Sequence, residues 1–174
     1  MQKSLGVLIL LALFHNGSCI LTKMACRTSG NGTCVDPFCF VTPVNEKSNA
    51  ANFGCGKLTR PLNKVQVKQQ FYFKFFQSYI PFNIFPEVEW CSFVKNPNPF
   101  SYFNGIVNAL KEKVPGFVHQ CPYSGTDLQV KNLILVTSDL ALWITGEYKL
   151  IYTIYDDIDP KILEVSARGI IKRN

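Results

Sequence analysis

The chain has 174 residues, of which 47% are hydrophobic and 13% aromatic, and its net charge at pH 7 is +6. This length and apolar content exclude a disordered or repeat chain and predict one globular domain with a well-filled core. The positive charges are scattered, apart from one compact group in RGIIKRN, so no nucleic-acid partner is indicated. We expect only a weak, transient contact with anionic membrane surfaces.

The first residues have the pattern of a secretory signal peptide. Lys3 supplies a positive charge, an apolar run extends from Leu5 to Phe14, and the small residues GSC at 17–19 are of the kind that signal peptidase accepts. The run is too short to span a bilayer comfortably. We therefore predict a signal peptide at residues 1–19, a single domain at 20–174 and a secreted, extracellular protein, with an uncleaved anchor as the alternative.

Cysteine usage fits an oxidising compartment. Cleavage after Cys19 leaves six of the seven cysteines, an even number that predicts three disulfides, although spacing alone does not choose among the possible pairings. Zinc is a poorer interpretation because no paired C-x-x-C is present and His119 is the only histidine after the signal. The sequon NGT at Asn31, between two glycines, predicts glycosylation on an exposed loop.

Alternating apolar and polar residues predict β-strands along most of the chain. In VQVKQQFYFKFF, residues 65–76, apolar side chains fall at odd positions and polar ones mainly at even positions. GEYKLIYTIY alternates less cleanly than this segment. ILEVSARGII alternates better than GEYKLIYTIY. In FPEVEWCSFV we predict a strand with Val88 and Trp90 on one face and a solvated pair, Glu87 and Glu89, on the other.

One segment has helical spacing instead. Its apolar residues are three and four apart, Asn98 is placed as N-cap, Pro99 as first helical residue, and Pro115 with Gly116 as the stop. We predict one amphipathic helix of about four turns over a sheet. These apolar positions are Phe100, Phe103, Val107, Leu110 and Val114. The alternating pattern in the rest of the sequence predicts an all-β, two-sheet antiparallel sandwich.

Nucleophilic catalysis finds little support in the residues. A Ser-His-Asp arrangement would have to use His119, close to a half-cystine, and no G-x-S-x-G elbow is present. The acidic run DDID at 156–159, just before Pro160, predicts a turn between two strands rather than a cation site. We therefore predict no enzyme, no catalytic residue, no cofactor and no metal.

CPYSGTDLQVKNLILVTSDLALWITGEYKLIYTIYDD resembles the C-terminal half of ML lipid-recognition domains, in particular that of the ganglioside activator protein. The upstream VEWCSFVKN, followed by a helix and then CPYSG, is similar to an insect family of secreted ML-like proteins, some of them linked to chemosensation. The resemblance covers nearly all of the chain after the signal. It implies an immunoglobulin-like sandwich with a ligand cavity between its sheets.

The resemblance also implies a disulfide pattern. Cys91 with Cys121 and Cys26 with Cys39 match the usual pairs of the family, and Cys34 with Cys55 would form an additional bridge. Pro122 and Gly125 make CPYSG a corner. We expect Cys121 to tie this corner to the strand that bears Cys91.

The implied function is that of a secreted, non-enzymatic carrier, chemosensory or lipid-transporting, which binds a lipid or other hydrophobic small molecule as a monomer. Seven residues are expected to line the cavity, because their positions in the pattern face inward and the family resemblance implies a cup-shaped site. These residues are Phe73, Phe75, Trp90, Phe103, Val107, Trp143 and Tyr152. The alternative is a secreted co-receptor or interaction protein that acts with a membrane receptor. The two differ in whether the native protein retains an apolar ligand.

Overall fold

In the computed structural model, which describes residues 17–81, 87–97, 103–135 and 144–173, the chain forms ten strands and two helices. In chain order these are β1 (Gly17–Arg27), β2 (Cys34–Asn45), β3 (Ser48–Leu62), β4 (Gln66–Phe75), β5 (Ser78–Pro81), β6 (Glu87–Glu89), α1 (Trp90–Lys95), α2 (Phe103–Lys113), β7 (Tyr123–Gly125), β8 (Gln129–Ile134), β9 (Gly146–Tyr155) and β10 (Leu163–Arg173).

The strands form two antiparallel sheets. In the six-stranded sheet the order is β1-β10-β9-β4-β5, and β6 pairs with β4. In the four-stranded sheet the order is β2-β3-β7, and β8 pairs with β3. Buried side chains of both sheets form one main apolar core, which includes Ala51, Val130 and Val165. The predicted all-β, two-sheet sandwich is confirmed.

The two sheets meet at the edge that contains β1. This strand packs against both β2 and β3. Cys26 of β1 is bonded to Cys39 of β2 with a Cα–Cα distance of 5.4 Å, about half the usual separation of facing sheets. Asn49 Nδ2 of β3 donates to the backbone oxygen of Leu21 at 2.6 Å. A covalent bond and a polar contact therefore hold the sheets together at this edge.

The other two predicted disulfides are also present. Cys34–Cys55 joins β2 to β3 within the four-stranded sheet. Cys91–Cys121 spans 30 positions and joins α1 to the segment just before β7. Tyr123–Gly125 then pairs with β3, so CPYSG does enter the sheet at a corner.

The helices confirm one prediction and correct another. α2 covers Phe103–Lys113 and buries Val107 and Leu110 in the main core, as its spacing predicts. Asn98, Pro99 and Phe100, the predicted start of this helix, lie outside the described residues.

The strand predicted in FPEVEWCSFV is wrong beyond residue 89. β6 ends there because the side chain of Glu89 accepts hydrogen bonds from Cys91 N and Ser92 N, which begins the six-residue helix α1. Cys91 is therefore on a helix, and Glu89 is a half-buried cap rather than a member of a solvated pair.

Most of the predicted signal peptide, residues 1–16, lies outside the described residues. Residues 17–19 belong to β1, where Cys19 is buried opposite Ile171. Cleavage after Cys19 would thus shorten β1 by its first three residues. Among the described residues, no helix has the length and apolar character needed to cross a membrane.

Candidate ligand-binding site between the sheets

The face of the six-stranded sheet that is turned toward the four-stranded sheet is almost entirely apolar. Residues directly opposite each other in an antiparallel ladder point to the same side, so the register defines this inner face. On β4 and β9 it pairs Val67 with Ile154, Gln69 with Tyr152, Phe71 with Leu150 and Phe73 with Tyr148. On β10 it continues through Leu163, Val165, Ala167, Gly169 and Ile171.

Charged side chains of these strands lie on the opposite, outer face. Lys74 Nζ is 2.6 Å from Glu147 Oε2 there, and the Lys149 ammonium lies over the ring of Tyr72. The described inner-face positions of β4, β9 and β10 between residues 67–73, 148–154 and 163–171 carry no charged group. This inner face can therefore contact an apolar molecule but offers it no ionic partner.

The apolar residues of this face fall into two clusters. Val67 and Ile154 belong to, or pack against, the main core. A second cluster contains Cys19, Phe71, Tyr148 and Ile171, with Phe73, Leu135 and Leu150 packed against it. Gln69 and Tyr152 oppose each other next to the Phe71–Leu150 pair, and the Tyr152 ring meets that of Phe71 edge to face, with 6.3 Å between centroids. Leu135 packs against both clusters, so the two are in contact, and Gln69 is a polar residue between their members on β4.

The central strands are not sealed by the opposite sheet. Val67, Phe73, Leu150 and Tyr152 face inward yet are only half-buried. Along β4 the exposed fraction rises from 2% at Phe71 to 54% at Phe75, and it reaches 85% at Phe76 in the following turn. The inner face of β4 is therefore less and less covered toward the β4–β5 hairpin.

Gln69 is the exception on this face. Its side chain is 1% exposed, and neither Nε2 nor Oε1 has a hydrogen-bond partner among the described residues. An unpaired buried amide costs about 1–3 kcal/mol. The sequence contains a signal for this position, because Gln69 is the one polar residue at an odd position within the alternation of β4, but the alternation alone did not distinguish it.

An aromatic cluster closes the end of the core near α1. Trp90 packs against Phe93 and Phe117, and its Nε1 donates to Tyr123 Oη at 2.9 Å. The Tyr123 hydroxyl in turn donates to the Phe117 oxygen at 2.8 Å, and burial raises the pKa of this phenol. Trp90 therefore contacts protein groups on several sides.

The predicted lining residues occupy different parts of the fold. Phe73 and Tyr152 lie on the inner face, and Phe75 lies at the hairpin end. Trp90 and Val107 are buried in the main core. Phe103 begins α2, and Trp143 lies outside the described residues. Of the seven residues, the structure brings Phe73 and Tyr152 together on one open face; the sequence analysis missed their neighbour Leu150.

Close packing fixes the ring of Phe73. A Cβ added to Gly146 of β9 would lie 2.3 Å from Phe73 Cε2, so glycine leaves room for the ring across the strand pair. The Phe73 ring also lies 5.2 Å from that of Tyr148, centroid to centroid. Phe73 is therefore held in place at the border between the second cluster and the open end.

His119 lies near a carboxylate and a hydroxyl, but not in the order of a catalytic triad. His119 Nε2 is 3.6 Å from Asp127 Oδ2, and Ser124 Oγ donates to the same oxygen at 3.4 Å. In a triad the hydroxyl donates to the imidazole instead. The His119 ring stacks on Tyr123 with centroids 4.3 Å apart, which gives it a packing contact.

A concavity lies on the surface beside the Cys91–Cys121 bond. It has a volume of about 480 Å³ and is lined mainly by polar and charged side chains, among them Lys64, Gln66, Glu89, Lys95 and Asp157. Its lining differs from that expected for a lipid, which calls for a largely apolar wall. The inner face of the six-stranded sheet remains the better candidate.

Fold and candidate site together define a disulfide-linked β-sandwich whose six-stranded sheet has an apolar, partly exposed inner face. Residues 65–150 match the sequence profile of a family described as "Protein of unknown function (DUF1091)". The chain also aligns with the crystal structure of a Niemann-Pick type C2 protein from Japanese carpenter ant, at 11% identity, over 87% of this chain and 90% of that chain, with a TM-score of 0.29. No curated protein matches the sequence.

Proposed function

We propose that this protein is a secreted, non-enzymatic carrier that binds a lipid or another hydrophobic small molecule between its two β-sheets. The observation that carries the proposal is the incomplete burial of an apolar inner face. Val67, Phe73, Leu150 and Tyr152 point into the sandwich but keep part of their surface exposed, which leaves apolar area for a ligand to cover.

The driving force for binding is the removal of apolar surface from water. Each buried methylene contributes about 0.8 kcal/mol, so an acyl chain with about ten buried methylenes supplies about 8 kcal/mol before the cost of association. The ligand would enter beside the β4–β5 hairpin, where exposure rises toward Phe76. Phe73, Phe75, Leu150 and Tyr152 would line its path, and Trp90 and Val107 would support the closed end.

Two features of the chain support secretion and glycosylation as parts of the same proposal. All six cysteines after Cys19 are paired, as expected in an oxidising compartment. Asn31 is exposed in the bend between β1 and β2, the kind of position that a glycan acceptor occupies. Lipid transport and chemosensory delivery are the roles that such a carrier would serve.

One observation favours the second candidate function, an interaction protein that acts with a membrane receptor. Large apolar side chains are exposed on the β4–β5 hairpin and just before β9: Phe75 at 54%, Phe76 at 85%, Ile80 at 49% and Ile144 at 64%. Exposed apolar groups of this kind often mark a contact surface. A protein without a bound lipid but with a stable partner would fit this second function.

Fluorescence titration with N-phenyl-1-naphthylamine tests carriage. We expect saturable binding by the native, disulfide-intact protein, and co-purified lipid in mass spectrometry after organic extraction. Leu150→Trp fills the inner face and should weaken probe binding about tenfold. Ile151→Trp is the matched control because Ile151 is the half-buried neighbour on the outer face, and its affinity should stay within about twofold.

A native protein that shows no saturable binding and carries no lipid would overturn the carrier function. Equal affinities of the two tryptophan variants would place any bound probe elsewhere than between the sheets. Circular dichroism of both variants confirms that each retains the β-sandwich.

A further inference from the structure

A ligand bound between the sheets would meet one buried polar side chain, that of Gln69. Gln69 lies in the middle of β4, opposite Tyr152 and between the two apolar clusters. Its neighbours along the strand on the same face are Val67 and Phe71. An amide in such surroundings is normally paired, because an unpaired donor and acceptor in an apolar interior lose their bonds to water.

Both polar atoms of this amide lack a partner among the described residues. Gln69 is 1% exposed, so bulk water does not reach it. Gln69 lies at an inner-face position of β4, so its side chain points toward the opposite sheet. Val67 and Tyr152 on the same face are only half-buried. The donor Nε2 and the acceptor Oε1 of Gln69 are therefore both free to bond to a ligand that binds between the sheets.

We propose that Gln69 is the polar anchor of the inter-sheet site, and that its ligand is an apolar chain with one neutral hydrogen-bonding head group. This role rests on the carrier function proposed above and specifies the class of ligand. A hydrocarbon would leave Nε2 and Oε1 unpaired, whereas a primary amide or a protonated carboxylic acid presents a donor beside an acceptor and pairs with both. An alcohol pairs with at least one.

The head group is neutral because the described inner-face positions of β4, β9 and β10 carry no charge to balance an ion. Lys74, Lys149 and Arg168 all lie on the outer face, where they contact Glu147, Tyr72 and Tyr79. A carboxylate or ammonium between the sheets would be desolvated without a counter-ion, which is strongly unfavourable. Phosphate and sulfate head groups are excluded from this position for the same reason.

Competition experiments with ligands of one chain length test this role. Dodecanamide, dodecanol and dodecane displace N-phenyl-1-naphthylamine from the native protein, and we expect affinity to fall in that order, with about tenfold between the amide and the alkane. Gln69→Met keeps the volume but removes the amide. It should reduce the difference between amide and alkane to about twofold or less.

Gln70→Leu is the matched control. Gln70 is the next residue on β4, opposite Ile151 on the outer face, so its replacement should leave the wild-type order of ligands intact. Stability provides a second readout, since removal of an unpaired buried amide should raise the midpoint of urea unfolding of the ligand-free protein.

The outcomes separate this role from the carrier function. If the wild type binds no probe saturably, carriage itself is wrong. If probe binding is saturable but Gln69→Met keeps the wild-type order of ligands, only the anchoring role is wrong. A lower urea midpoint in Gln69→Met would show that the amide makes stabilising bonds within the protein, which also overturns the anchoring role. Gln69→Leu repeats these measurements if the methionine variant does not fold.

Discussion

Asp159 connects the turn between β9 and β10 to the bend between β1 and β2. Its side chain is 2% exposed and accepts hydrogen bonds from Ser29 Oγ at 2.7 Å and from Lys161 N at 3.0 Å. In the same turn Asp156 forms an ion pair with Arg60, with 2.7 Å between Oδ2 and Nη1. The acidic run that the sequence predicts as a turn is a turn, and two of its carboxylates also hold neighbouring segments in place.

Asp159→Asn should change both stability and its dependence on pH. Burial raises the pKa of Asp159, but hydrogen bonds from Ser29, Lys161 and Thr33 outweigh this effect, and the net pKa lies below its ordinary value of 3.8. A lowered pKa in the folded state stabilises the protein above the unfolded-state pKa of about 3.9, and this contribution is lost as pH falls through the folded-state pKa.

We therefore expect Asp159→Asn to be less stable than the wild type by about 1–3 kcal/mol at pH 7, with a difference that shrinks below about pH 4. Urea unfolding between neutral and acidic pH measures this. Asp157→Asn is the control, because Asp157 is 80% exposed and lies 3.7 Å from Lys64 Nζ. Parallel pH profiles for the wild type and Asp159→Asn would contradict the expectation.

Among the elements, α1 depends on one side chain. Glu89 accepts from Ser92 N at 2.7 Å and from Cys91 N at 3.2 Å, and its Oε1 also accepts from Val65 N at 3.4 Å. Burial raises the pKa of Glu89, but the bonds from Ser92, Cys91 and Val65 outweigh it and lower the net pKa. The cap thus links the start of α1 to the start of β4.

Glu89→Ala should reduce the free energy of unfolding by about 0.5–2 kcal/mol, the usual effect of losing an N-cap. The comparison is Glu87→Ala, in which the lost partner is the exposed hydroxyl of Tyr155. Because exposed polar contacts contribute little, we expect a change below about 0.5 kcal/mol for Glu87→Ala. Urea unfolding distinguishes the two, and equal losses would show that Glu89 does not cap α1.

The sequence predicts those elements whose local pattern agrees with their environment. β4, β9 and β10 alternate because one face of each is buried, and α2 has three-four spacing because its apolar side enters the core. The strand prediction fails at Trp90 because EVEW alternates as well as any strand, while the bonds from Cys91 and Ser92 to Glu89 begin a helix. The alternating pattern of apolar and polar residues gives no indication of this capping interaction.

The candidate site was less predictable than the fold. The predicted inward-facing positions do place Phe73 and Tyr152 on the inner face, but they also include Trp90, whose indole packs against Phe93 and Phe117 and donates to Tyr123. The alternating pattern predicts which face of a strand a side chain occupies. It does not predict how close the opposite sheet comes to that side chain. Gln69 was missed because a polar residue contributes nothing to a count of apolar positions.

At the scale of the whole molecule, the three disulfides have different positions in the sandwich. Cys26–Cys39 joins the two sheets, whereas Cys34–Cys55 lies within the four-stranded sheet. Their sequence separations are 13 and 21, so on the chain-entropy model each contributes about 3 kcal/mol by restricting the unfolded state. Stability alone would hardly distinguish them.

Ligand binding should distinguish them. The double variant Cys26→Ala with Cys39→Ala releases the sheets from each other at the β1 edge, and we expect weaker binding of N-phenyl-1-naphthylamine in addition to the loss of stability. Cys34→Ala with Cys55→Ala should lose similar stability but keep its dissociation constant within about twofold. Equal effects on binding would show that the bond between the sheets does not shape the site.

The pairing of β1 with β10 has a consequence for how the protein is made. Thr22 donates to the backbone oxygen of Arg168, 146 positions later. During translation, the ribosome must release this distant partner before the pair can form, and such long-range pairing makes folding slow. Nascent chains would therefore keep β1 unpaired until β10 has been synthesised, and the proposed inter-sheet site could form only after that point.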